Sequence, residues 1–225
     1  MSTYILKTAF TDRQLDILYA TGTNVVVAKP TGGSSPNVAW QVFKPMQSNR
    51  LSWGEEYGIY ASTSSVTNGA VLSQLSSVPV GAAMNKLYTL EPSAVISGPA
   101  SGGTPSSFTL QNKYAAKDYM TVGLFQDANI NGIDILGNAL SAAPVLLAST
   151  AVMTPFTIVY IWLQSQVVSN TVVTTVTSPM TMLKFGGDTT EISVSYDSAS
   201  GKFLPSASAT QRSLATDFAY LEASL

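Results

Sequence analysis

The chain of 225 residues contains no histidine and no cysteine. The first absence removes the side chain that most often moves protons and binds metals near neutral pH. The second removes the thiolate nucleophile, the soft metal ligand and every disulfide. Together they exclude Ser-His-Asp and Cys-His catalysis, ordinary zinc sites and haem held by His or Cys. Charge is scarce as well. Charged residues make up 11% of the chain, against roughly 25% in an average soluble protein. The net charge is −2, and the 11 lysines and arginines are scattered, which excludes the basic footprint of a nucleic-acid partner. Long apolar runs are missing too. The longest, Ala142 to Trp162, is interrupted by Ser149, Thr150, Thr154, Pro155 and Thr157, and is too polar for a membrane helix. Met1 to Lys7 holds no basic segment leading into an apolar one. The expectation is cytoplasmic synthesis without a signal peptide, with retention there or leaderless release.

What is present is an apolar fraction of 45% and a surface left to Ser, Thr, Asn, Gln and Gly. Turn signals recur about every ten residues between β-branched and aromatic runs, the spacing of an all-β sandwich or barrel. Strands are expected near 3–9, 24–30, 38–44, 56–62, 69–74 and 86–91, then near 107–112, 119–126, 144–152, 157–166, 170–177 and 190–196. Two helices interrupt them. Thr11 and Gln14 form a capping box before Leu15, Leu18 and Tyr19, and Gly22 closes the segment, which predicts a helix over 12–20. Leu214, Phe218, Leu221 and Leu225 form an amphipathic stripe, which predicts a C-terminal helix within 206–225 that covers a sheet edge.

The stretch 98–107 is rich in Gly, Ser and Pro and reads as a linker between residues 1–97 and 108–205. Its flanks resemble each other at an offset of about one hundred residues. Tyr4-Ile5-Leu6 matches Phe108-Thr109-Leu110, Ile59-Tyr60-Ala61 matches Ile161-Trp162-Leu163, and Thr67-Asn68 matches Ser169-Asn170. The fold class expected is therefore an all-β sandwich of two related antiparallel β-units, with short N-terminal and C-terminal helices.

Two clusters carry candidate chemistry. Trp53 sits in a turn-like segment, Asn49 to Gly54, close in sequence to Glu56 and Tyr57. These three are candidate ligand-binding residues, a platform on which a sugar ring or choline head group stacks. The same aromatic crowding, with Trp40, Phe43 and Tyr60, is also what a β-core requires. Glu55 and Glu56 are adjacent, so a strand would turn them to opposite faces, and they cannot act together as a hydrolytic carboxylate pair. The string Asp127-Ala128-Asn129-Ile130-Asn131-Gly132-Ile133-Asp134 opens like a calcium loop, with Asp127, Asn129, Asn131 and Asp134 as candidate ligands. Its twelfth position is Asn138 instead of Glu, and a hairpin with Asn-Gly at its tip explains the same residues without metal. Calcium is the only cofactor that the sequence raises.

These features point to a non-enzymatic binding protein with lectin-like or cytolysin-like make-up, directed at an uncharged glycan or lipid head group. The alternative is a structural β-protein that self-assembles, since weakly charged surfaces repel their own copies little and favour homo-oligomers. Gln164 to Met182 is neutral and β-prone, but its paired valines break the alternation that an inserting hairpin needs.

Overall fold

The capping box of Thr11 and Gln14 starts the helix seen in the structure, a computed structural model that describes residues 3–33 and 35–206. The Thr11 hydroxyl accepts a hydrogen bond from the Gln14 N–H (3.4 Å), and the Gln14 side-chain oxygen accepts one from the Thr11 N–H (2.9 Å). Helix α1 (Asp12–Ala20) buries Leu15 and Leu18, and Gly22 takes a positive φ of 60° just beyond it. The stripe from Leu214 to Leu225 lies outside the described residues.

Among the described residues every other named element is a β-strand, numbered in chain order. The largest sheet has nine strands. Its path is β19 (Lys202–Pro205), β18 (Glu191–Asp197), β1 (Thr3–Ala9), β5 (Ser48–Gly54), β11 (Tyr119–Ile130), β6 (Gly58–Ser62) and β7 (Ser76–Val78). Strands β12 (Ile133–Ala139) and β13 (Ala143–Leu146) also pair with β11. A four-stranded sheet follows the order β14 (Thr150–Met153), β10 (Phe108–Asn112), β8 (Lys86–Leu90) and β9 (Ile96–Ala100). Another runs β17 (Thr181–Lys184), β15 (Ile158–Ser165), β2 (Thr23–Ala28) and β4 (Gln41–Phe43). Strands β16 (Thr171–Val172) and β3 (Val38–Ala39) form a two-stranded pair. The pairs β1–β18 and β8–β10 are parallel, so the pairing is not wholly antiparallel.

Pairing crosses the 98–107 stretch in every sheet: β18 joins β1, β10 joins β8, β15 joins β2 and β16 joins β3. The Gly/Ser/Pro stretch is itself built into this body. Strand β9 runs through Pro99 to Ala100, at a sheet edge where a missing N–H does no harm. At Gly103 a Cβ would come within 2.3–2.5 Å of the Lys86 backbone, so only glycine fits there. The composition of a linker here marks a tight return along β8.

Several runs that are apolar without alternation are covered on both faces. In β2, Val25 and Val27 enter the main core while Val26 and Ala28 pack with Trp162 behind the sheet. In β6, Ile59 and Ala61 face the main core and Tyr60 faces a second cluster with Val38 and Phe125. The strand expected over 38–44 breaks at Trp40. Val38 and Ala39 pair with β16, Gln41 to Phe43 pair with β2, and the Trp40 indole between them turns into the main core. Residues 69–74 form no strand; there Val71 makes an isolated bridge to Thr171.

One glycine positions a feature described below. A Cβ at Gly123 would lie 1.9 Å from the Ser141 carbonyl oxygen and 2.6 Å from the Tyr60 ring. Its absence lets the segment after β12 press onto β11, where the Tyr60 hydroxyl donates to the same Ser141 carbonyl (2.6 Å).

Candidate functional site

Trp53 and Tyr57 are brought together by the structure, but inside it. Trp53 lies on β5 and not in a turn, and each residue is only 3% exposed. Trp53 meets Phe185 at 5.0 Å between centroids, Trp40 at 5.6 Å and Tyr4 at 5.8 Å. Tyr57 meets Phe108 at 5.8 Å. The rings surround the ammonium of Lys29, whose side chain is 1% exposed. Lys29 Nζ lies 5.6 Å from the Trp40 ring centre, 5.5 Å from Trp53 and 5.2 Å from Tyr57, within cation–π range. An aromatic box for a cation thus exists where the sequence places a platform, and the protein's own lysine fills it.

The ammonium has three N–H groups and three oxygen acceptors: Glu55 Oε1 (3.1 Å), Gln126 Oε1 (3.0 Å) and the Tyr57 hydroxyl (3.3 Å). Glu55 Oε1 also accepts from Trp53 Nε1 (3.3 Å), and its other oxygen accepts from the Tyr57 hydroxyl. Gln126 is fixed by donating to the Gly54 carbonyl. Burial nevertheless outweighs these partners. Desolvation lowers the Lys29 pKa from 10.5 to about 8, against the opposing attraction of Glu55. Burial, with the Glu55 charge beside it, raises the Tyr57 pKa. Glu56 lies with Glu55 in the connection between β5 and β6 and is exposed, and Glu191 is engaged by Lys7 at 2.6 Å.

The Asp127–Asp134 string is a β-hairpin joining β11 to β12. Asn131 and Gly132 form its tip, with φ of 53° and 90°, the left-handed pair that a two-residue hairpin turn requires. Its side-chain oxygens take hydrogen bonds from the protein itself. Asp127 Oδ1 accepts from the Gly137 N–H (2.7 Å), Asn129 Oδ1 from the Gly132 N–H (2.9 Å) and Asn131 Oδ1 from the Arg50 N–H (2.7 Å). Asp134 Oδ1 accepts from Asn129 Nδ2 (2.7 Å). No group of three acidic, His or Cys residues able to hold a metal occurs among the described residues. Asp127, Asn129 and Asp134 share with Trp53 the border of a shallow, open depression of about 230 Å³.

A larger cavity, about 500 Å³, lies elsewhere. Strands β13 and β14 follow each other across a three-residue turn yet belong to different sheets, β13 pairing with β11 and β14 with β10. They splay apart and leave a cleft. Its lining includes Thr31, Ser35, Asn37, Ser141, Ser149 and Thr150, with Val122, Val145, Ala151 and Met153 among its apolar members. None of the lining residues is ionisable. Asn37 ties the rim together, donating to the Ala142 carbonyl (2.6 Å) and accepting from its N–H (3.2 Å). The sequence contains no local sign of this cleft, because its walls come from segments about one hundred residues apart. No protein-family model, curated protein or solved structure matches the chain.

Proposed function

We propose that this chain is a non-enzymatic binding protein, lectin-like or cytolysin-like in role, that takes an uncharged surface ligand in the cleft between β13 and β14. A neutral glycan is the first choice and an uncharged lipid head group the second. One observation carries the proposal: this cavity of about 500 Å³ is lined by hydroxyls, an amide and aliphatic carbon, with no charge. Its size lies within the range of small-ligand sites, roughly 300–1,000 Å³. Hydroxyl and amide groups exchange hydrogen bonds with sugar hydroxyls, while a charge left unpaired beside a neutral ligand would lose hydration without recompense. The test is a panel of neutral glycans and lipids screened with the wild-type chain and with Thr150→Trp, which fills the cleft from an exposed position. Binding by wild type and loss in the variant are expected. Blank panels, or binding indifferent to the filled cleft, would refute the assignment.

Self-assembly into homo-oligomers is the second reading, favoured by β12. This strand, bordering the large sheet, exposes Ile133 at 66% and Leu136 at 71%. Such apolar edges recruit further strands. Light scattering over a concentration series would show growth that salt barely alters; a strict monomer would dismiss it. We also propose that the chain contains two related β-units. Support comes from the matched triplets Tyr4–Leu6 and Phe108–Leu110, whose strands each have one parallel and one antiparallel neighbour.

A further inference from the structure

We infer that Tyr119 is a second subsite, a stacking platform across β13 from the cleft and beside Leu146, so that the ligand is a neutral oligosaccharide of two or more rings. This rests on the cleft being the ligand site. The strand register places Tyr119 directly opposite Leu146, the residue through which β13 enters the cleft lining. A directly opposed antiparallel pair puts its side chains on one face, about 5 Å apart at Cβ. Both are open to solvent, Tyr119 at 43% and Leu146 at 63%. The backbone here is held in place: the Leu147 N–H donates to the Asp118 carbonyl (3.0 Å) and the Ser149 N–H to the Leu146 carbonyl (3.0 Å).

Other tyrosines are engaged. The hydroxyls of Tyr57, Tyr60 and Tyr88 bond within the protein. Tyr19, the comparably exposed tyrosine, donates to the Pro45 carbonyl and carries the Lys44 ammonium 4.3 Å from its ring centre. Among the described residues Tyr119 has no such partner, and its register partner Leu146 lines the neutral cavity. A pyranose has an apolar C–H face and a hydroxyl rim. The cleft offers hydroxyls and amide for one ring, and Tyr119 with Leu146 offers a flat apolar surface to the next.

The test compares matched monosaccharides and trisaccharides by calorimetric titration of the full chain: glucose with cellotriose, N-acetylglucosamine with chitotriose, and mannose with mannotriose. For at least one pair, the trisaccharide is expected to bind about ten-fold tighter. Tyr119→Ala should abolish that gain and leave monosaccharide binding unchanged, while Tyr119→Phe should keep it. Thr150→Trp, or Ala143→Trp from the opposite wall, should remove binding of both lengths. A length gain that survives Tyr119→Ala overturns the subsite and leaves the cleft assignment standing. Equal affinity for both lengths does the same. Absence of binding to all six sugars overturns the oligosaccharide subsite and leaves the cleft to the wider glycan and lipid panel, while binding that survives both cleft-filling variants overturns the two together.

Discussion

Glu55 holds the interior cluster together, because among the described residues it is the only carboxylate within reach of the Lys29 ammonium. Replacing it by Gln would leave a buried charge with neutral partners, which costs about 3–5 kcal/mol where one partner of a buried pair is removed. Lys29→Met leaves Glu55 behind instead, and Glu55 is 23% exposed and can be hydrated. Denaturant unfolding should therefore find Glu55→Gln more destabilising than Lys29→Met. The double variant should be less destabilised than the sum of the two; strict additivity would show that the ion pair is energetically idle. The cluster also sets a pH dependence. The folded Lys29 pKa, about 8, lies below the unfolded value of 10.5, so between them the unfolded chain holds more protons and stability rises with pH. Tyr57 acts the other way: its folded pKa is raised above 10.0, and its contribution is lost as pH climbs beyond the unfolded value. Stability should climb from pH 8 towards 10 and then fall, and the climb should vanish in Lys29→Met. A wild-type profile that is flat across this window would contradict the burial of the ammonium.

At the scale of elements, the β11–β12 hairpin explains its sequence without a metal. Gly132 at φ 90° has no open contacts for a Cβ to strike, so Gly132→Ala should cost about 1–2 kcal/mol through backbone strain alone. Millimolar calcium should leave the wild-type Tm where it is, and a calcium-dependent rise would restore the loop as a metal site. Local signals made other elements legible: the capping box of α1, the β-branched runs of β2 and β15, and the strand over 3–9. Strand β5 was not legible, because Asn49, Arg50 and Ser52 break its apolar pattern and resemble a turn. Their polarity is explained by pairing: the Asn49 amide donates to the Thr8 hydroxyl and accepts from Asn131, whose oxygen caps the Arg50 N–H. Strand β9 was hidden by its Gly and Pro, which an edge strand tolerates. The aromatic cluster around Trp53 was legible as a cluster, but not its occupant. Lys29 stands 24 residues before Trp53 and 26 before Glu55, and nothing local marks a lysine as buried.

At the scale of the whole molecule, the parallel pairing of β1 with β18 and the insertion of β11 between β5 and β6 tie distant segments into one body. Most strand contacts are therefore remote in sequence, and slow folding follows from that topology. The cleft is a product of the same arrangement. It opens where consecutive strands part into different sheets, and its neutral lining reflects a chain that carries little charge anywhere. Binding there should change little with ionic strength, unlike binding steered by charge. The most direct measurement is an amide NMR titration of the isotopically labelled chain with a neutral glycan that binds it. The shifts are expected to gather at Thr31, Asn37, Ser149 and Thr150 and to spare Trp53 and Tyr57. Shifts centred on the Trp53 depression or the β12 edge, with the cleft silent, would contradict the account.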